Sequence, residues 1–141
     1  MPEKLKILFL CTGNSCRSQM AEVWTNHVKG DRFDAYSAGV QPRPVDPRAV
    51  KAMAEVGLDI SKQKSKDLDA LGNLEFDYVI TLCDNARESC PYFPAKTKLI
   101  PNGFDDPPTL AKGAKSEEEA MVPYRRVRDE TGAFVKTLPD R

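Results

Sequence analysis

Two cysteines five residues apart, Cys11 and Cys16, with an arginine directly behind the second, stand in the segment CTGNSCRS at residues 11–18. Three chemistries use such a set: half of a metal site, a thiol–disulfide pair, or an anion cradle with a nucleophilic sulfur at its base. The segment follows the apolar run Ile7-Leu8-Phe9-Leu10 and leads into a helical pattern, so CTGNSCR reads as a strand-to-helix turn. Ligands of open α/β sheets bind at such turns. A helix N-terminus offers unpaired N–H groups and a partial positive charge, and Gly13 with Asn14 permits backbone angles that turn several N–H groups inward. The run Thr12, Gly13, Asn14, Ser15, Cys16 and Arg17 is thus suited to a tetrahedral oxyanion, with Arg17 as a forked, permanently charged donor. The same positive field favours Cys11 as a thiolate, so the nucleophile needs no histidine. The single histidine, His27, lies in a helix among polar residues and reads as a surface side chain.

Cys83 and Cys90 complete the cysteine set. A zinc site is disfavoured because structural zinc draws on more closely spaced pairs. The plainer alternative makes these thiols small buried fillers, and for Cys16, inside the loop, that is the preferred reading. For Cys83 and Cys90 the positions argue otherwise. Cys83 ends a second strand pattern, on the same sheet edge as Cys11, and Cys90 lies in the polar segment that runs up to Pro91.

The elements that must hold these residues alternate along the chain. Lys4–Leu10 reads as a buried strand, 18–29 as a helix and Phe33–Ser37 as a second strand. Asp46-Pro47 is a helix start, with Asp as cap and Pro in the first turn, and Gly57 is its stop. Asp77–Leu82 and Lys96–Ile100 supply two more strands. Such alternation implies βαβ units, a parallel sheet and helices on both of its faces. The Pro- and Gly-rich stretch from Pro101 to Lys115 carries Asp105 and Asp106 and reads as a long loop. Ser116 and the three glutamates after it start a C-terminal helix that Pro123 should kink or delay.

At 141 residues the chain suits one domain, 1–141, with an ordinary core. Its 21 basic and 21 acidic residues balance, so no general attraction to nucleic acid or anionic membrane is indicated, and an anion site must be local. No segment has the length of a signal peptide core or a membrane span. A cytoplasmic location is expected, where thiols stay reduced and structural disulfides are rare.

Two layers of resemblance follow from these motifs. Cys11 through Arg17-Ser18 resembles the phosphate-binding loop of the low-molecular-weight protein tyrosine phosphatases, and Asp106-Pro107 resembles their general-acid loop. Those enzymes follow the Asp-Pro with aromatic residues, whereas Pro108 and Thr109 follow here, and Cys83 and Cys90 have no task in their chemistry. The four cysteines, with TGNSCRSQMAE, TLCDNA, FDDP and RVRDE, resemble the thioredoxin-coupled arsenate reductases over nearly the whole chain. That resemblance implies a four-stranded parallel sheet flanked by helices, with flavodoxin-like winding. It also implies a sequence of chemical roles. Cys11 attacks arsenate held by the loop and Arg17, Asp106 protonates the departing oxygen, and Ser18 hydrogen-bonds the Cys11 sulfur. Cys83 then attacks Cys11, releasing arsenite, and Cys90 attacks Cys83 to leave a disulfide for thioredoxin. Asp105 competes with Asp106 as the acid. A phosphatase is the alternative activity, and a redox sensor with a phosphate-binding loop is a third.

Members of the reductase family hold a potassium ion through an asparagine and a glutamate matching Asn14 and Glu22, plus a hydroxyl and a carboxylate in the segment matching KSK. Lys64 and Lys66 fall at those last places, so the expectation is no metal and no other cofactor, with an ammonium in place of the ion. A helix from residue 83 to residue 90 would set its ends roughly 10 Å apart, beyond the about 4.4–6.8 Å that a disulfide tolerates. Oxidation should therefore unwind that segment.

Overall fold

The computed structural model describes residues 4–11, 13–39, 41–71, 75–82, 98–101 and 105–138. Thr12, Cys83 and Cys90, and the expected helix after Cys83, lie outside the described residues. Strands β1 (Leu5–Cys11), β2 (Phe33–Gly39), β3 (Tyr78–Thr81) and β4 (Lys98–Pro101) form a sheet in the order β2-β1-β3-β4. Every pairing is parallel, with Leu10 beside Thr81 and Cys11 beside Gly39. A strand buried on both faces needs a continuous apolar run. β1 supplies one, since Ile7, Leu8, Phe9 and Leu10 are wholly buried.

Successive residues of β1 point to opposite faces. Ile7 and Phe9 join Phe33, Ile80, Ala21, Val135 and Leu138 under helices α1 (Arg17–Val28) and α4 (Glu117–Lys136). Leu8 and Leu10 face the other way, onto Ala38, Val79, Phe76 and Leu71. Among the described residues that second face is covered by a 3-10 turn, Leu68–Leu71, and by Phe76, where sequence alternation leads one to expect an α-helix. A third cluster joins α1 to α2 (Pro47–Ala54) and α4 through Met20, Met53, Met121 and Tyr124.

Asp46 caps α2 by accepting from the Arg48 N–H at 2.9 Å, with Pro47 in the first turn, as the sequence predicts. α2 ends at Ala54, and Gly57 closes the following turn at φ +81°. Ser116 caps α4 by accepting from the Glu119 N–H at 3.1 Å. Pro123 does not delay α4, which is helical from Glu117 onward. The cap, three acidic residues in the first turn and the burial of Met121 and Tyr124 outweigh the one backbone hydrogen bond that proline forgoes. The stretch after Pro101 is not all loop either: α3 (Pro107–Ala111) begins directly behind Asp106.

Candidate active site

β1 leads to β2 on one side and β3 on the other, so the crevice at its carboxyl end is where the sheet's winding reverses. Cys11 is the last residue of β1 and is 3% exposed. The chain then turns into α1, whose first residue is Arg17. In that turn Asn14 adopts φ +49°, the left-handed region that asparagine tolerates better than most residues. Gly13, expected to share that role, does not have a positive φ. Its value is space, since a Cβ there would lie 3.2 Å from the Ser15 hydroxyl and 3.6 Å from Cδ of Arg43.

The loop is held from outside by its own carbonyls. The Gly13 carbonyl accepts from the Arg43 N–H and the Ser15 carbonyl from the Asp46 N–H, both at 2.8 Å. The Asn14 carbonyl accepts from Gln19 Nε2 at 2.8 Å and from the Ser65 hydroxyl at 2.6 Å. The loop thus has the carbonyl oxygens of three successive residues engaged by neighbouring segments. The buried Asn14 side chain braces it further, donating to Ser18 Oγ at 2.8 Å and accepting from the Lys66 N–H at 2.9 Å.

A pocket of about 180 Å³ opens at this point, lined by Cys11, Gly13, Ser15, Cys16, Arg17, Arg43, Asp106 and Pro108. Nη2 of Arg17 lies 3.3 Å from Oδ1 of Asp106, the arginine side chain nearly buried and the carboxylate half-buried. Oδ2 of Asp106 accepts from the Thr109 hydroxyl at 2.7 Å. Asp105 faces elsewhere, paired with Arg126 of α4 at 2.7 Å. Of the two adjacent aspartates, Asp106 is thus the one at the pocket. No aromatic side chain is among the described residues that line the pocket.

Burial pushes the Cys16 thiol well above its ordinary pKa, and the nearby Asp46 carboxylate adds to this, while Arg17 opposes it. Cys16 therefore stays protonated. Asp46 itself accepts from the Tyr124 hydroxyl at 2.5 Å, which ties the helix cap, the loop and α4 together. Burial, and then this bond, raise the Tyr124 hydroxyl. His27 is exposed on α1 and takes no part.

Beside the loop, Nζ of Lys66 lies 3.7 Å from Glu22 Oε1, 3.5 Å from Ser37 Oγ and 3.3 Å from the Lys64 carbonyl. Ser37 donates to the same Glu22 oxygen at 2.6 Å. In this corner Lys64 contributes its carbonyl, and Ser37 on β2 contributes a hydroxyl. Among the described residues, no three His, Cys, Asp or Glu side chains converge as metal ligands. Arg43 and Ser37 were not marked by motif. Arg43 alone had a signal, its place between two prolines just before the α2 start.

This fold and this constellation define a class. A family description for the low molecular weight phosphotyrosine protein phosphatases matches residues 6–102, and the chain belongs to that family. Within it the similarity runs to arsenate reductases. The chain is 50% identical over 136 residues to the arsenate reductase of Bacillus subtilis, covering 95% of this chain and 94% of that one. It superposes with a TM-score of 0.73 on an arsenate reductase in the phosphate binding state, 29% identical, with 94% of each chain covered. A thioredoxin-dependent arsenate reductase of Corynebacterium glutamicum gives a TM-score of 0.62 at 25% identity, over 94% of this chain and 62% of that longer one.

Proposed function

We propose that the protein reduces arsenate to arsenite by three successive thiol attacks, with thioredoxin as the final reductant. The observation that carries this reading is the meeting of Cys11, Arg17 and Asp106 around one pocket of small-anion size. Loop N–H groups and Arg17 hold the oxyanion, and the Cys11 thiolate attacks arsenic. Asp106 protonates the oxygen that leaves as water, giving a Cys11–arsenic(V) adduct. Ser18, whose oxygen already accepts from Asn14, keeps its O–H to donate to the Cys11 sulfur.

Cys83 then attacks the sulfur of Cys11. The S–S bond forms as the S–As bond breaks, its electron pair stays on arsenic, and arsenite departs as arsenic(III). Cys90 next attacks Cys83, expels the Cys11 thiolate and leaves a Cys83–Cys90 disulfide, which the thioredoxin dithiol reduces. Two features support this relay. The Leu82 N–H donates to the Leu10 carbonyl at 2.9 Å, so the residues that precede Cys83 and Cys11 in sequence lie side by side. The Corynebacterium relative carries thioredoxin dependence in its name. Outward looping of residues 83–90 on oxidation would present that disulfide to a protein reductant.

The site needs no metal in this reading, because the Lys66 ammonium takes the place of a potassium ion beside Glu22. The oxidising and reducing steps suit the cytoplasm. The described residues include no helix long and apolar enough to cross a membrane.

Phosphomonoester hydrolysis is the second reading, favoured by the family match and by the fact that Cys11, Arg17 and Asp106 suffice for it. Pro108 at the pocket wall, without an aromatic neighbour among the described lining residues, gives a phenyl ring little to pack on. Arsenite release with thioredoxin, measured beside aryl phosphate hydrolysis without it, separates the readings. Reduction should dominate, with weak hydrolysis at most; efficient hydrolysis without reduction would overturn the assignment.

A further inference from the structure

Arg43 lines the pocket, yet neither the sequence motifs nor the relay gives it a task. Its backbone is fixed twice over. Its N–H donates to the Gly13 carbonyl at 2.8 Å, and it stands between Pro42 and Pro44, which restricts the angles of all three residues. From that anchor the stem of the side chain crosses the loop. Cγ and Cδ come within 3.7 Å and 3.6 Å of the point where a Gly13 Cβ would be, so the glycine leaves the stem its course. Arg43 is exposed, and its guanidinium has no hydrogen bond or ion pair among the described residues. Arg17 differs on both counts, being nearly buried and paired with Asp106.

The pocket is thus lined by two arginines, Arg17 and Arg43, and by one carboxylate, Asp106, and Arg43 is the exposed arginine of the two. An anion seated with three oxygens on the loop and Arg17 would direct its fourth substituent toward Asp106 and Arg43, which line the same pocket. In inorganic arsenate or phosphate that substituent is an oxygen able to accept a charged N–H. In a phosphomonoester it carries an organic group, and in a phosphonate it is carbon.

We infer that Arg43 is a specificity-determining residue that selects inorganic oxyanions over organic phosphoryl compounds by contacting the outward oxygen. The inference rests on the pocket being an oxyanion site and adds what that site prefers. A charged contact to an oxygen at a partly wet rim is worth less than a buried one, so its loss should weaken binding roughly three- to tenfold. The backbone fixed by two prolines keeps the ordering entropy low, leaving chiefly the side chain to be immobilised.

Calorimetric titration of reduced protein with inorganic phosphate and with phenylphosphonate tests this in the wild type, Arg43→Gln and Arg43→Lys. Phosphate affinity should fall roughly three- to tenfold in Arg43→Gln and recover in part in Arg43→Lys, while phenylphosphonate affinity changes less than about twofold. Arsenate KM should follow the phosphate result with kcat little altered. Unchanged phosphate affinity in Arg43→Gln, or an equal loss for both ligands, would overturn the selective role. If the wild type binds neither ligand, the oxyanion reading of the pocket fails first and this inference with it.

Discussion

At the scale of single residues, the site divides into groups that act and groups that only hold. Cys11→Ser should abolish arsenite release and any aryl phosphate hydrolysis together, because a hydroxyl stays protonated where a thiol ionises. Turnover retained by that variant would remove Cys11 as the nucleophile. Asp106→Asn should slow single-turnover adduct formation about a hundredfold, the usual scale for a lost general acid. Asp105→Asn should cost less than about threefold, since it gives up only an exposed pair with Arg126. A reversed order would move the acid by one residue. Cys16→Ser should leave activity largely intact, as burial keeps this thiol protonated and out of the chemistry. That Cys11, Arg17 and Asp106 meet was legible in the sequence because each sits in a short motif. The places of Arg43 and Ser37 were not, since Arg43 packs on the loop from a distant segment and Ser37 of β2 meets Glu22 of α1.

Elements position these residues through a few close approaches. A Cβ on Gly132 of α4 would lie 2.9 Å from the indole ring of Trp24 on α1, whose Nε1 donates to the Arg128 carbonyl at 3.0 Å. Gly132→Ala should therefore destabilise the fold by about 1–3 kcal/mol through overpacking, with the remaining folded protein active. Thermal unfolding measures this, and an unchanged midpoint would show that the two helices separate at no cost. Strand and cap positions were readable from the sequence because they depend on neighbours: the run through β1, Asp46-Pro47 and Ser116 each carry a local signal. The delay expected from Pro123 does not occur. Its local penalty is outweighed by tertiary burial of the same helix, which no window of sequence contains. Lys66 beside Glu22 is different: the family resemblance already puts a lysine of the KSK segment at that corner, although the contact joins an irregular segment to α1 and β2.

For the molecule as a whole, a set of exposed carboxylates on α2 and α4 links stability to pH. Hydrogen bonding to Arg125, and then to Arg128, holds Glu55 below the ordinary carboxylate range, and Arg125 and Arg48 do the same for Glu118 and Glu117. A depressed folded-state pKa contributes stability that is present above the unfolded value, near pH ~4.3, and is lost as pH falls through the folded one. The unfolding midpoint should drop as pH falls below about 4.3, and Glu55→Gln should lessen that slope. An identical slope in the variant would show that these pairs add nothing. The relay calls for a second change of the whole molecule, since Cys83 and Cys90 must meet Cys11 and thioredoxin in turn. Hydrogen exchange should show residues 84–92 less protected in oxidised than in reduced protein. Equal protection in both states would rule out the looping.

The relay itself is tested most directly by stoichiometry without any reductant. Fully reduced wild-type protein mixed with arsenate should release about one arsenite per chain and then stop, with peptide mapping finding the Cys83–Cys90 disulfide. Cys90→Ser should release about one arsenite and be trapped as Cys11–Cys83, and Cys83→Ser should release none. Arsenite released by Cys83→Ser at the wild-type amount, or a wild-type disulfide that leaves out both Cys83 and Cys90, would contradict the account.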